Sequence, residues 1–204
     1  MSIPVYNYRH FLDNFPQWRR RRDLFGFILF DDRQSHAEIK AFCEQAFNWL
    51  NALSDQAAMI LFLPIKERRG GKFENCSLKI AERFNISPGQ LPMILLFTLE
   101  RGEMCVQHAA KLRFKVAAFQ GPKYEDGEAL VVDLFDAIRE ARADPGPDEL
   151  VVKLQSRIGR IRRAARMRPI KRWARSYGIE LLNLPKDILR EVGVAFGKGM
   201  VSIG

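Results

Sequence analysis

LKIAERFNISPGQLPMILLF, residues 78–97, is the stretch on which the reading of this chain turns. Leu78, Ile80, Ala81 and Phe84 fall at helical spacing and predict one apolar helix face. Ser87-Pro88-Gly89 is turn chemistry, because proline presets φ and glycine permits φ > 0. Met93 to Phe97 is an unbroken apolar run, as expected of a strand covered on both faces. Pro92 has no N–H to give to a sheet ladder, so it belongs at the start of that strand.

Working outward, the same pattern recurs. LFGFILF (Leu24–Phe30) reads as a buried strand, and AMILFLPI (Ala58–Ile65) as a second, with Pro64 near its end. Between them Ser35-x-x-Glu38 is a capping-box signature. It predicts a helix running to about Leu53, with Ile39, Phe42, Cys43, Ala46, Phe47, Trp49, Leu50 and Leu53 on its apolar side. Lys66 to Phe73 is a basic loop with Gly70-Gly71; it lacks the Gly-x-x-x-x-Gly-Lys-Ser/Thr phosphate loop and reads as an exposed turn. After a turn at Glu100–Glu103, strand structure is expected in both Met104–Ala109 and Arg113–Phe119, and a helix over Glu128–Arg142. Strands alternating with helices make this an α/β domain.

The order helix, turn, Leu91-Pro92, Met93-Ile94-Leu95-Leu96-Phe97 resembles the thioredoxin-like superfamily, with Ile86 completing the match and the likeness extending over about Asp23 to Arg142. The resemblance implies a mixed sheet flanked by helices and a cis Leu91-Pro92 bond. It places a groove at the redox-loop position, where Arg33, His36, Leu91 and Pro92 would stand. The family's redox members carry Cys-x-x-Cys after the first core strand, and this chain has none. Asp32 to His36 fills that place, and neither Asp nor Arg performs thiol–disulfide exchange, which needs a thiolate. A redox-inactive member is therefore expected.

Composition bounds the rest. The 204 residues allow one substantial domain and an appendage. Three scattered cysteines, Cys43, Cys76 and Cys105, do not make a disulfide framework, and a cytoplasmic setting is expected. The first 22 residues hold charges rather than a signal-like apolar core. Cys105-x-x-His108 has ligand-like spacing, but residues three apart on a strand face opposite ways; no metal and no cofactor are expected.

Residues 1–22 read as an N-terminal aromatic and basic arm, with Tyr6, Tyr8, Phe11, Phe15 and Trp18 ahead of Arg19-Arg20-Arg21-Arg22. Residues 23–143 are the thioredoxin-like domain, and Asp144-Pro145-Gly146-Pro147 is a linker. Residues 148–204 are a basic helical extension. Leu150, Leu154, Ile158, Ile161 and Ala165 form an apolar stripe; Pro169 is expected to interrupt it, and an apolar tail follows from Leu181 with a last helix after Pro185. Lys153 to Arg175 contains ten basic residues and no acidic one, against a net charge of +9 for the whole chain, so everything else is close to neutral.

These features predict a non-catalytic binding or regulatory protein whose basic amphipathic C-terminal segment contacts an acidic surface. Arg157, Arg160, Arg163, Arg166, Lys171, Arg172, Arg175 and Trp173 are the expected contact residues. The surface is an anionic membrane, met peripherally at the inner leaflet, or an acidic protein partner. Nucleic-acid binding through the Arg-rich segment is the first alternative, although no helix-turn-helix, zinc-finger or RNA-recognition signature accompanies it. A single-cysteine thiol oxidoreductase is the second, and it needs an exposed thiol of lowered pKa, for which Cys76 near a helix start is the better placed.

Overall fold

The computed structural model describes residues 1–33, 36–64, 75–119, 124–144, 146 and 149–176. The chain divides into two compact units, Met1–Ile158 and Gly159–Gly204. In order, the elements are β1 (Ser2–Val5), α1 (Tyr8–Trp18), β2 (Leu24–Leu29), α2 (Ala37–Gln45), α3 (Phe47–Gln56), β3 (Met59–Pro64), α4 (Ser77–Arg83), β4 (Met93–Glu100), β5 (Glu103–Arg113), α5 (Glu125–Ala143) and α6 (Leu150–Ser176). Short 3-10 turns occupy Pro88–Gln90 and Val116–Phe119.

The first unit is built on one mixed five-stranded sheet in the order β1-β3-β2-β4-β5. β3 runs parallel to both β1 and β2, while β4 is antiparallel to β2 and β5 antiparallel to β4. The expected neighbourhood of the three apolar runs and the cis Leu91-Pro92 bond are both present. Every residue of β2 and β3 is buried, as is β4 from Met93 to Phe97. Two-face coverage explains why these strands read as continuous apolar runs rather than alternating ones.

Side-chain alternation then sorts the core into two layers. On one face Phe25, Phe27, Ile60, Phe62, Leu95 and Phe97 meet Phe11 and Phe15 of α1 and Ile80, Ala81 and Phe84 of α4. Phe62 is the hub, with ring centroids 4.8 Å from Phe27, 5.2 Å from Phe11 and 5.3 Å from Trp18. On the other face Ile28, Leu61, Ile94 and Leu96 meet Leu50 of α3 and Val131, Leu134 and Phe135 of α5. Gly26 sits at the middle of that layer: a Cβ there would lie 2.8 Å from Met59 Cε and 3.0 Å from Leu96 Cδ2.

Several expectations are corrected. Residues 1–22 are not an arm laid on a finished domain. They supply an edge strand of the sheet and a core helix, and the amide of Ser2 bonds Asn51 Oδ1 at 2.7 Å. The helix predicted from Ser35 to Leu53 is two helices, broken at Ala46 (φ −85°, ψ 7°), and Leu53 is only half-buried. Leu78 is exposed, and Cys76 and Ser77 take the inward positions at the start of α4. That helix ends because Asn85, not Gly89, takes the left-handed conformation (φ 51°), with the Ile86 amide reaching back to the Ala81 carbonyl at 2.8 Å. β5 is one long strand of 11 residues, and Val116–Phe119 is a 3-10 turn rather than a strand. The boundary between the two compact units falls after Ile158, within α6. α6 runs through Pro169 without a break. One proline removes a single i→i−4 bond, and the turns on either side stay closed. Ser35, the Gly70-Gly71 loop, Tyr177 and the 181–204 tail lie outside the described residues.

One long-range clamp closes the first unit. Arg142 of α5 makes two bonds to the Asp23 carboxylate, at 2.6 and 3.1 Å, and donates to the carbonyls of Ala57 and Ala58 at 3.1 Å. Ala58 is itself in the left-handed region (φ 52°), a conformation unfavourable to a residue with a Cβ, and the guanidinium holds that turn.

Two outcomes follow from this packing. Phe62→Ala should lower unfolding stability by about 3–5 kcal/mol, read from the shift in urea midpoint, since it empties the centre of the ring layer; a loss no larger than for an exposed residue would contradict the hub role. Arg142 holds the Asp23 carboxyl below its usual range, first through their hydrogen bond. A depressed folded pKa means a contribution complete at neutral pH and lost as pH falls below about 4 and through the folded value. Asp23→Asn should therefore lower the thermal midpoint at pH 7, and the deficit should shrink as pH falls below about 4; a deficit unchanged on acidification would refute the assignment.

Candidate functional site

The turn after β2 is where the sequence points first. Beyond Leu29 the chain leaves the sheet at Phe30, whose amide donates to Ser77 Oγ and whose carbonyl accepts from Asn75 Nδ2 at 2.8 Å. Asp31 then turns inward and is 9% exposed. Its carboxylate pairs with Arg33 and stands 2.5 Å from His36 Nδ1. His36, 3% exposed, precedes α2 without capping it through its side chain. A buried carboxylate is costly unless paired, and here it faces two nitrogen-bearing side chains. The Asp31 amide also donates to His36 Nδ1 at 3.2 Å, which ties the imidazole to the backbone of the turn.

The four residues expected to line a groove do come to one end of the sheet, in unequal roles. Arg33 is exposed and its guanidinium reaches toward the Pro88 carbonyl at 3.5 Å. His36, Leu91 and Pro92 are buried. Ser87 to Gln90 form an exposed turn, tied by the bond from the Ser87 amide to Gln90 Oε1 at 3.1 Å and by Arg113 donating to the Gly89 carbonyl at 2.8 Å. Of the four, Arg33 is the side chain that a partner can touch.

Cys43 and Cys76 are both fully buried, and burial pushes the Cys43 thiol well above its usual range. A thiolate, not a thiol, attacks, so Cys43 is a packing residue. Cys76 stands beside the start of α4, as expected, but is buried under the ring layer. The side chain of Cys105 lies outside the described residues. His108 on β5 is held by Glu149 at 3.1 Å and faces Glu100 at 3.6 Å.

The basic segment divides at the unit boundary. In the first unit, Val151, Leu154 and Ile158 of α6 are buried, with Val151 rather than Leu150 beginning the inward stripe. Gln155 donates to the Ala109 carbonyl at 2.9 Å, covering part of the β5 edge. Lys153 donates to the carbonyls of Asp144 and Gly146 at 2.6 and 2.7 Å. Arg157 bonds Asp144 Oδ2 at 3.0 Å and lies 3.8 Å from Glu140. These contacts, after the Gly146 amide, hold the Asp144 carboxyl below its ordinary range. Lys153 and Arg157 thus pin the linker, and Arg157 is not part of an open contact face.

In the second unit, Ile161 is buried while Arg160, Arg162 and Arg163 are exposed. Arg162 was not singled out in the sequence, although its place beside Arg163 puts it on the wet side of the helix. The backbone of Arg166, Lys171, Arg172, Trp173 and Arg175 continues α6, and their side chains lie outside the described residues. No helix among the described residues is long and apolar enough to cross a membrane.

No protein-family model and no curated protein matches this chain.

Cys43 and Cys76 should stay unmodified by a thiol-specific aromatic disulfide in the native protein and react only after denaturant is added. Rapid native labelling at either position, mapped by peptide mass, would show that these thiols are accessible after all.

Proposed function

We propose that this chain is a redox-inactive, thioredoxin-like binding protein, and that its basic helical segment contacts an acidic surface without catalysis. Support for the thioredoxin-like reading comes from the helix-turn-Pro-strand order delivered into a mixed sheet, with the cis Leu91-Pro92 bond at the entry to an antiparallel strand. A wholly parallel sheet would have favoured a doubly wound alternative. Support for inactivity comes from the turn after β2, where Asp31 pairs with Arg33 and packs against buried His36 in the place of a dithiol.

The observation that carries the functional reading is the exposure of Arg160, Arg162 and Arg163 opposite buried Ile161. A helix of this kind presents charge rather than a greasy face. Its inward stripe, Val151, Leu154, Ile158 and Ile161, is buried and not offered to a bilayer. The contact is therefore electrostatic, with an anionic membrane surface or an acidic protein as the complementary partner. Arg166, Lys171, Arg172 and Arg175 extend the same charge along α6.

Vesicles with and without phosphatidylserine test the membrane form directly. The chain should sediment with anionic vesicles and not with neutral ones, and raised salt should release it because the contact is screened. Arg160→Glu, Arg162→Glu and Arg163→Glu together should weaken binding by about 1 kcal/mol per arginine lost. Equal binding by this variant to vesicles, to an acidic protein column and to nucleic acid would sink the proposal. Measurable insulin reduction by the unmodified chain would remove the claim of redox inactivity.

A further inference from the structure

The run Arg19-Arg20-Arg21-Arg22 has a second role, at the end of the sheet away from Asp31 and Pro92. α1 does not simply fray there: the Arg19 amide bonds the Phe15 carbonyl at 2.9 Å and the Arg21 amide bonds the Trp18 carbonyl at 3.0 Å. The four arginines are therefore folded into a turn, and all four line one open concavity of about 600 Å³. Asp23, Phe25, Ala58, Thr98 and Leu99 complete its wall. That volume lies within the usual range for small-ligand sites, about 300–1,000 Å³.

The charge balance at this concavity is uneven. Asp23, the acid in its wall, is already matched by two hydrogen bonds from Arg142, and Asp55 is matched by Arg22 at 3.0 Å. Arg19 donates to a neutral group, the Gly102 carbonyl at 2.8 Å, which orients the guanidinium without cancelling its charge. Gly102 makes this approach possible by taking φ 85° in the tight turn between β4 and β5. Arg20 and Arg21 are exposed and have no ion-pair partner among the described residues. Three like charges are thus held side by side around one hollow. Cations near a helix C-terminus are favoured by its dipole, yet that effect fades within the last turn and does not account for a hollow lined by adjacent arginines.

We propose that this concavity is an anion site for a compact, multiply charged phosphate ligand, independent of the basic helix. Guanidinium groups present paired donors that match phosphate oxygens, and several on one rim suit an oligophosphate better than a single carboxylate. Thr98, half-buried in the wall, adds a hydroxyl to the same side. Arg19 is pre-oriented by Gly102, while Arg20 and Arg21 close on the ligand from solvent.

Calorimetric titration of the full chain with inorganic tripolyphosphate at low salt tests the site, with citrate as a carboxylate control. One tripolyphosphate should bind per chain, and Arg20→Ala with Arg21→Ala should weaken it by about tenfold or more through lost charge-assisted bonds. Both positions are exposed, so the far-UV spectrum and thermal midpoint should be unchanged. Arg160→Glu with Arg163→Glu should leave the affinity within about twofold, because neither side chain lines the concavity. A phosphoinositide headgroup in place of tripolyphosphate, free or in vesicles, separates a soluble ligand from a lipid source of the same chemistry. Absence of binding, equal affinity for citrate, or a loss that follows Arg160 and Arg163 rather than Arg20 and Arg21 would each overturn the proposal. None of these outcomes depends on whether the basic helix meets an acidic surface.

Discussion

Phe62 holds the structure together. Its ring is packed among Phe11, Phe15, Trp18, Phe25 and Phe27, so one side chain joins α1 to two strands at once. Aromatic rings bury large areas and gain further from tilted and edge contacts, which makes such a node expensive to lose. The arrangement also requires small residues elsewhere. Gly26 lies on the opposite face of β2 and leaves room for Met59 and Leu96, so that the strands bearing the rings can keep their spacing. Cys76 follows from the same demand: it is one of the small fillers under the ring layer and is fully buried.

Much of the sheet was legible because its strands are buried on both sides. Leu24–Leu29, Met59–Pro64 and Met93–Phe97 are apolar without alternation, and their shortness, with proline at the edge of two of them, favours strand over helix. β1 was missed because four residues with Pro4 among them carry too little pattern, and its place depends on pairing with β3 some 59 residues later in the register Ser2 to Leu61. The break at Ala46 was hidden because apolar residues continue at helical spacing on both sides of it. At the turn after β2, the residue types were visible but the pairing was not. Asp31 and His36 flank a strand end and a helix start, a placement that would have suggested a contact. Arg142 reaching Asp23 across 119 residues leaves no local trace at all.

Charge is distributed by use rather than by abundance. Of the ten basic residues from Lys153 to Arg175, the first two are consumed on the linker, holding Asp144 and the Gly146 carbonyl. The count alone therefore overstates the surface that a partner meets. Exposed charge begins at Arg160, where the second unit has started. The arginines at 19–22 show the reverse case: a basic run read as part of an arm becomes a shaped feature because α1 ends in a turn against the β4–β5 hairpin.

The strand order carries a consequence for how the chain is made. During synthesis β1, α1 and β2 leave the ribosome before β3 exists, and β1 and β2 are not neighbours in the sheet. Their first pairing waits for Met59–Pro64, the strand that lies between them. Until then the nascent chain exposes Phe11, Phe15 and the whole LFGFIL run with nothing to cover them. Apolar strands in that condition associate with copies of themselves. Four consecutive arginines stand directly between the two apolar segments, the position at which charge flanking a hydrophobic strand opposes such association.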